Sequence, residues 1–216
     1  MATLAIASTA SGDHPVTARY RGSTRFFDST SATTAVTVDP RVGPEFRLNG
    51  VTLGSQRRAA TATLASGDHL AVWTSRPLAG RGEIRARRLR ADGTALGGET
   101  RIDTPAPANR GDPAIAAGAN GGAVVLWREV ADDGRDLGLR GRRLSATGAR
   151  LGAEFRVDTS SGRRLTAPAL AAAGGGFAVA WGSQGTTAPA RQILVRLHDA
   201  AGRPITGETR ADAAAA

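Results

Sequence analysis

Three carboxylates fall within five positions at Asp132-Asp133-Gly134-Arg135-Asp136, a spacing at which oxygen ligands could converge on a hard cation such as calcium. The corresponding stretches elsewhere in the chain read PLAGRGE and GTTAPARQ, without matching acids. The segment also lacks the sixth-position glycine and twelfth-position glutamate of an EF-hand loop. An ordinary polar turn is the favoured reading, with Asp132, Asp133 and Asp136 kept as a weak calcium candidate and no cofactor expected.

A second chemistry is offered by Trp73, Trp127 and Trp181, which could stack against sugar rings. Each closes an apolar run (HLAVW, AVVLW, FAVAW), and large apolar side chains on such strands are more often core than ligand platform. Arg110-Gly111-Asp112 spells an integrin-type tripeptide. Arg110 stands seventeen residues before Trp127, as Arg164 does before Trp181, so it reads as a repeat position and not as an adhesion loop.

Catalytic signals are sparse. The three histidines, His14, His69 and His198, sit in unrelated contexts. No G-x-S-x-G, H-E-x-x-H or phosphate-binding glycine loop occurs, and the acidic residues give no obvious dyad. The sequence therefore predicts a protein that is not an enzyme, although a site can also be assembled from distant loops.

These residues must be positioned by repeated elements. The tryptophans recur every 54 residues, and E-x-R recurs at Glu45-Phe46-Arg47, Glu99-Thr100-Arg101, Glu154-Phe155-Arg156 and Glu208-Thr209-Arg210, spaced 54, 55 and 54. A fixed period of this size signals one supersecondary unit copied in tandem. In the middle unit, strands are expected at 113–118, 123–129, 137–148 and 154–158, joined by Gly- and Asn-containing turns typical of antiparallel hairpins. Along AVVLW, Ala123, Val125 and Trp127 point one way and Val124 and Leu126 the other, so this strand should be covered on both faces. In the last strand, Phe155 and Val157 should face in, with Glu154, Arg156 and Asp158 facing out as a charged edge. The prediction is an all-β fold of three four-stranded antiparallel, propeller-like blades of about 54 residues, spanning 45–99, 99–154 and 154–208. An extra strand at 45–49 would belong to a preceding blade or pair with the C-terminal end. Residues 213–216 read as a frayed tail.

The 28 basic residues are all arginine, and the formal net charge is +9. Because the arginines recur with the repeat and do not cluster, a solvated surface of a GC-biased sequence is the simplest account, and nucleic acid is not an expected partner. Cysteine is absent, which excludes disulfides and thiolate metal sites. No stretch approaches the ~20 apolar residues of a membrane helix. The N-terminal residues do not read as a signal peptide, so an export signal is expected outside this chain.

Two resemblances extend the reading. The unit, running from a Gly-rich hairpin through FAVAW and an R-L-x-A-x-G turn to L-G-x-E-F-R-V-D-T, resembles tandem repeats of large secreted or surface bacterial proteins. In those the pattern is roughly GGFVVVW…YAQRFDADG…GGEFRVNT. The match covers about residues 43–212; the Y-x-Q-R-F element stands here only as RARRL (85–89) and LRGRRL (139–144). Residues 1–39 share no period with the remainder. Gly12, His14, Val16, Ala18, Tyr20, Gly22, Phe26, Ser29, Ser31, Val36 and Val38 resemble the C-terminal half of a bacterial immunoglobulin-like domain, with residues 40–44 as linker.

The resemblances imply an extracellular or cell-surface location. The leading expectation is a non-enzymatic scaffold or adhesion segment of a large exported protein, with an extracellular protein or glycan as partner. A glycan-binding, lectin-like propeller and an accessory module of a secreted hydrolase are the alternatives. Three blades would need further blades or self-association to close.

Overall fold

The computed structural model describes residues 46–159, 162–185 and 191–212 in full, together with the backbone of four short strands between 12 and 38. The chain divides into two compact units, residues 1–46 and 47–216. In the first, β1 (Gly12–Val16) pairs antiparallel with β4 (Thr34–Val38), and β2 (Arg19–Tyr20) pairs with β3 (Ser29–Thr30). The linker at 40–44 and the tail at 213–216 lie outside the described residues.

The second unit is all-β, built of three antiparallel meanders. Strands β5 (Ser55–Thr63), β6 (His69–Arg76), β7 (Glu83–Leu89) and β8 (Ala95–Arg101) form the first blade in sequence order. The second blade comprises β9 (Asn109–Ala117), β10 (Ala123–Val130), β11 (Asp136–Leu144) and β12 (Arg150–Arg156). In the third, the first strand is split into β13 (Arg164–Leu165) and β14 (Ala169–Ala173), both pairing with β15 (Gly176–Gln184). Strands β16 (Arg191–His198) and β17 (Thr209–Arg210) complete it. The hairpin after each first strand turns through a glycine of positive φ, Gly67, Gly121 and Gly175, again at 54-residue spacing.

Side-chain alternation decides how the blades stack. Val125 and Trp127 pack with Leu70, Val72 and Ile84 of the first blade. From the opposite face of the same strand, Val124 and Leu126 pack with Phe177, Val179 and Trp181 of the third. A two-sided apolar strand is therefore covered on both sides, as its pattern predicts. The first strands β5, β9 and β14 lie beside one another, which makes them the inner strands of the array.

The E-x-R strand differs from expectation. It ends at Arg156, so Asp158 lies beyond it and is buried. The motif is better written E-x-R-x-D, because the aspartate holds the same partner in every blade. Asp103 accepts the Ile84 N–H, Asp158 the Leu139 N–H and Asp212 the Ile193 N–H, each at 2.8 Å. The carboxylate thus extends the ladder where the fourth strand has left it. The glutamate ties blades together: Glu99 accepts the Gly50 and Val51 N–H groups, Glu154 that of Thr104 and Glu208 that of Thr159. Residues 46–49 form no strand; Leu48 instead accepts from the Arg87 guanidinium at 2.8 Å, as Val157 does from Arg196. Repeated arginines are thus partly inter-blade fasteners and not only solvated charge.

Candidate functional site

Each inner strand is interrupted at the same point. Between Arg57 and Ala60 three steps along β5 match two along β6, and between Gly111 and Ala114 three steps along β9 match two along β10. One extra residue per strand makes a bulge, a device that bends a strand and re-aims a side chain. Arg58 and Asp112, 54 residues apart, occupy these bulges at φ values of 58° and 55°. They are the non-glycine residues with positive φ among those described. Holding such a backbone costs ~1–3 kcal/mol, and it persists where the surroundings over-determine it. In the third blade Thr166 holds the equivalent place, between β13 and β14.

The two bulges open onto a cleft of about 350 Å³ between the first and second blades, inside the ~300–1,000 Å³ range of ligand sites. Asp112 lines it and is mostly buried. Its Oδ1 meets Arg58 Nε at 3.1 Å and its Oδ2 accepts from Arg128 Nε at 3.1 Å, while its N–H donates to Thr74 Oγ1. Arg128 reaches on to Asp136 Oδ1 and the Leu165 carbonyl, both at 3.1 Å. Arg57, Arg76 and Asn109 complete the polar wall. A ligand here would meet guanidinium forks, an amide and the carboxylates of Asp112 and Asp132.

Directly beneath lies a buried ion network. Arg110 is 4% exposed and donates to Asp103 at 2.9 Å, to Glu129 at 2.8 Å and to the Thr104 carbonyl. Arg140 donates to the other oxygen of Glu129 at 3.1 Å. The Arg110-Gly111-Asp112 tripeptide is therefore split between interior and cleft, and Arg110 is not presented to a partner.

The acidic run fans out to three separate places. Asp132 is exposed and accepts from Arg81 and Asn109, each at 3.0 Å, and the Arg81 guanidinium holds its carboxyl below the usual carboxylate range. Asp133 accepts the Arg135 N–H within its own turn. Asp136 is buried and accepts the Leu165 N–H at 3.0 Å. Among the described residues no cluster of three metal-ligating side chains forms. Trp73, Trp127 and Trp181 are buried, and none lines the cleft. Trp73 donates to Gln56 at 3.1 Å; the indole N–H groups of Trp127 and Trp181 find no partner among the described residues.

His198 is placed for stability. Its ring stacks on Phe177 with centroids 4.9 Å apart, and Nδ1 donates to the Gly202 carbonyl at 3.2 Å. Burial pushes its pKa below the ordinary histidine value, because the charged ring would lose water and meet the Arg196 charge, which the Gly202 carbonyl and Asp199 offset only in part. The unfolded chain then binds the proton more tightly, so this contribution is full above about pH 6.5 and is lost as pH falls toward the folded pKa. Thermal melts between about pH 7 and 5 should fall more steeply for the wild type than for His198→Phe, which keeps the stack and cannot titrate.

An all-β array of blades with a cleft at its bulged inner strands defines a propeller-like class. Comparison with known proteins agrees at the level of fold. The endo-arabinase of Bacteroides thetaiotaomicron superposes with a TM-score of 0.57 at 12% identity, over 95% of this chain and 82% of that one. A Hadza microbial sialidase gives 0.55 at 13% identity, over 69% of this chain and 36% of its own length. A thermostable family-43 glycoside hydrolase gives 0.50 at 10% identity, over 76% and 56%. The chain thus spans little more than a third of the sialidase and just over half of the family-43 enzyme. No family model matches the sequence, and no curated protein matches it. These structures correct the expectation of a non-enzymatic scaffold or adhesion segment: the architecture on which it rested is shared with glycoside hydrolases. Among the described residues no helix is long and apolar enough to cross a membrane.

Proposed function

We propose that this chain is the glycan-recognising propeller segment of an extracellular glycan-processing protein, and that it works at the cleft between its first two blades. The observation that carries this reading is the pair of strained bulges, which turn Arg58 and Asp112 of adjacent inner strands toward one concave site. Strain held in register in two blades suits a site better than a surface loop. The hydrolase-like fold supports the class of ligand only by analogy. In this reading Asp112 accepts sugar hydroxyls with both oxygens oriented by Arg58 and Arg128, and Asn109, which already accepts from the Gly82 N–H and donates to Asp132, offers its second N–H and second lone pair. Residues 1–39 are a partial immunoglobulin-like segment, and 45–212 are three repeats. The third blade exposes Ile193 and Leu197 on a face of the kind that the next blade covers elsewhere, which supports a further blade beyond it.

A glycan array read together with a reducing-end release assay tests the proposal. The folded chain should bind or cleave at least one glycan class. Asp112→Asn, which tolerates the same backbone, should weaken that by about tenfold or more, the scale of a lost charged hydrogen bond. Absence of both activities in the folded chain, or glycan activity untouched by Asp112→Asn and Arg58→Gly, would overturn it.

A further inference from the structure

Resting on the glycan reading above, we infer that the saccharide taken by the inner-strand cleft is a sugar acid, whose carboxylate is held by Arg57 and Arg76. The register of the first hairpin brings these two side chains together. Ser55 stands opposite Arg76 and Arg57 opposite Thr74, so Arg57 and Arg76 are diagonal neighbours on one sheet face. Diagonal neighbours of this kind lie ~7–8 Å apart, within reach of long side chains. That face also carries Leu70 and Val72, which pack with the second blade. The two guanidinium groups therefore look across the cleft toward the second blade's inner strand, and both line the cleft.

Two like charges on adjacent positions repel, and the carboxylate whose field reaches Arg76, that of Asp132, is itself shared with Arg81 and Asn109. Neither Arg57 nor Arg76 has an ion-pair or hydrogen-bond partner among the described residues. The carboxylates that line the cleft are already engaged. Both oxygens of Asp112 meet Arg58 and Arg128, and those of Asp132 accept from Arg81 and Asn109. An unpartnered pair of planar, forked donors in a concave site is complementary to a planar acid group, which guanidinium binds bidentately. The sugar hydroxyls then fall toward Asp112 and Asn109.

A polyanion such as single-stranded nucleic acid is the competing ligand for a cluster of arginines. Its recognition without sequence preference relies on aromatic platforms for the bases. No aromatic side chain lines this cleft, and the three tryptophans are buried in the blades. The lining suits a small acidic ring with hydroxyls better than stacked bases.

Calorimetric titration of the full chain decides the matter, using paired probes that differ only in the acid group. Suitable pairs are the trisaccharides of galacturonate, glucuronate and mannuronate, together with sialyllactose, each against its carboxyl-reduced form. At least one acid should bind about tenfold or more tightly than its neutral partner, and more weakly as salt rises. In Arg57→Ala/Arg76→Ala the acid should fall to the neutral partner's affinity. Both residues are exposed, so the fold should persist, and Arg90→Ala/Arg203→Ala, which removes equal charge from two exposed turns, should leave binding unchanged. Neutral and acid forms binding equally would overturn this inference while leaving the glycan reading standing. Binding of no saccharide at all would overturn both. Binding of an oligothymidylate as tight as that of the best acid, and lost in the same variant, would assign the cleft to a polyanion instead.

Discussion

Trp127→Ala should cost about 3–5 kcal/mol of stability, the range for removing a large aromatic side chain from a packed core. Trp127 has no exposed surface and stands where the second blade meets the first, among Leu70, Val72, Ile84 and Val125. Small domains hold only ~5–15 kcal/mol in total, so this one change removes a large share of the margin. In a thermal melt it should lower the midpoint by about 6–20 °C, at ~2–4 °C per kcal/mol for a unit of this size. Trp127→Phe, which keeps most of the apolar volume, should cost much less. A melt of Trp127→Ala within a degree or two of wild type would mean that the blades do not stack through this strand. The same variants separate core from ligand platform, because Trp127→Phe should leave glycan binding intact if the cleft lies at Asp112.

The second large effect is expected at Arg110. Replacing it by methionine leaves Asp103 and Glu129 buried with one cation fewer, although Arg101 still pairs with Asp103 at 2.7 Å and Arg140 with Glu129 at 3.1 Å. Removing one partner of a buried ion pair costs ~3–5 kcal/mol, chiefly because the remaining charge stays desolvated. The retained partners put the expected loss near the lower end, about 3 kcal/mol, readable as a reduced midpoint in urea with an unchanged slope. An Arg135→Met control, in an exposed turn where the ion pair is a long 3.9 Å contact with Asp133, should change stability by less than about 0.5 kcal/mol. Equal effects from both substitutions would show that burial of the network contributes nothing.

The repeat made the blades legible. Tryptophans at a constant interval, each ending a run with apolar residues on both faces, demand a strand covered from both sides, and Trp127 and Leu126 are found packed against different neighbours. Alternation failed where it was carried past the end of a strand. Counting from Phe155 puts Asp158 outward, but the strand stops at Arg156 and the chain turns the carboxylate in to the Leu139 N–H. The recurrence of aspartate at 103, 158 and 212 was the available signal, since a residue needed only at a wet edge has no reason to return at one register.

The cleft was hidden for a related reason. Strand reading assumes a period of two, and a bulge breaks it, so neither Arg58 nor Asp112 could be assigned a direction from spacing alone. Their 54-residue separation was visible, but it acquires meaning only when the first strands are known to lie side by side. Asp132, Asp133 and Asp136 mislead in the opposite way. They are close in sequence, yet a tight turn sends them to Arg81, to a neighbouring backbone N–H and to the interior.

Binding of glycan at the bulged inner strands of the first two blades is read out by amide hydrogen exchange of the full chain, with and without saturating amounts of the best-binding saccharide. Protection should appear at residues 57–58, 74–76, 109–112 and 128–134, with the outer strands at 95–101 and 150–156 unchanged. Protection confined to those outer strands, or to the third blade alone, would contradict the assignment of the cleft as the binding site.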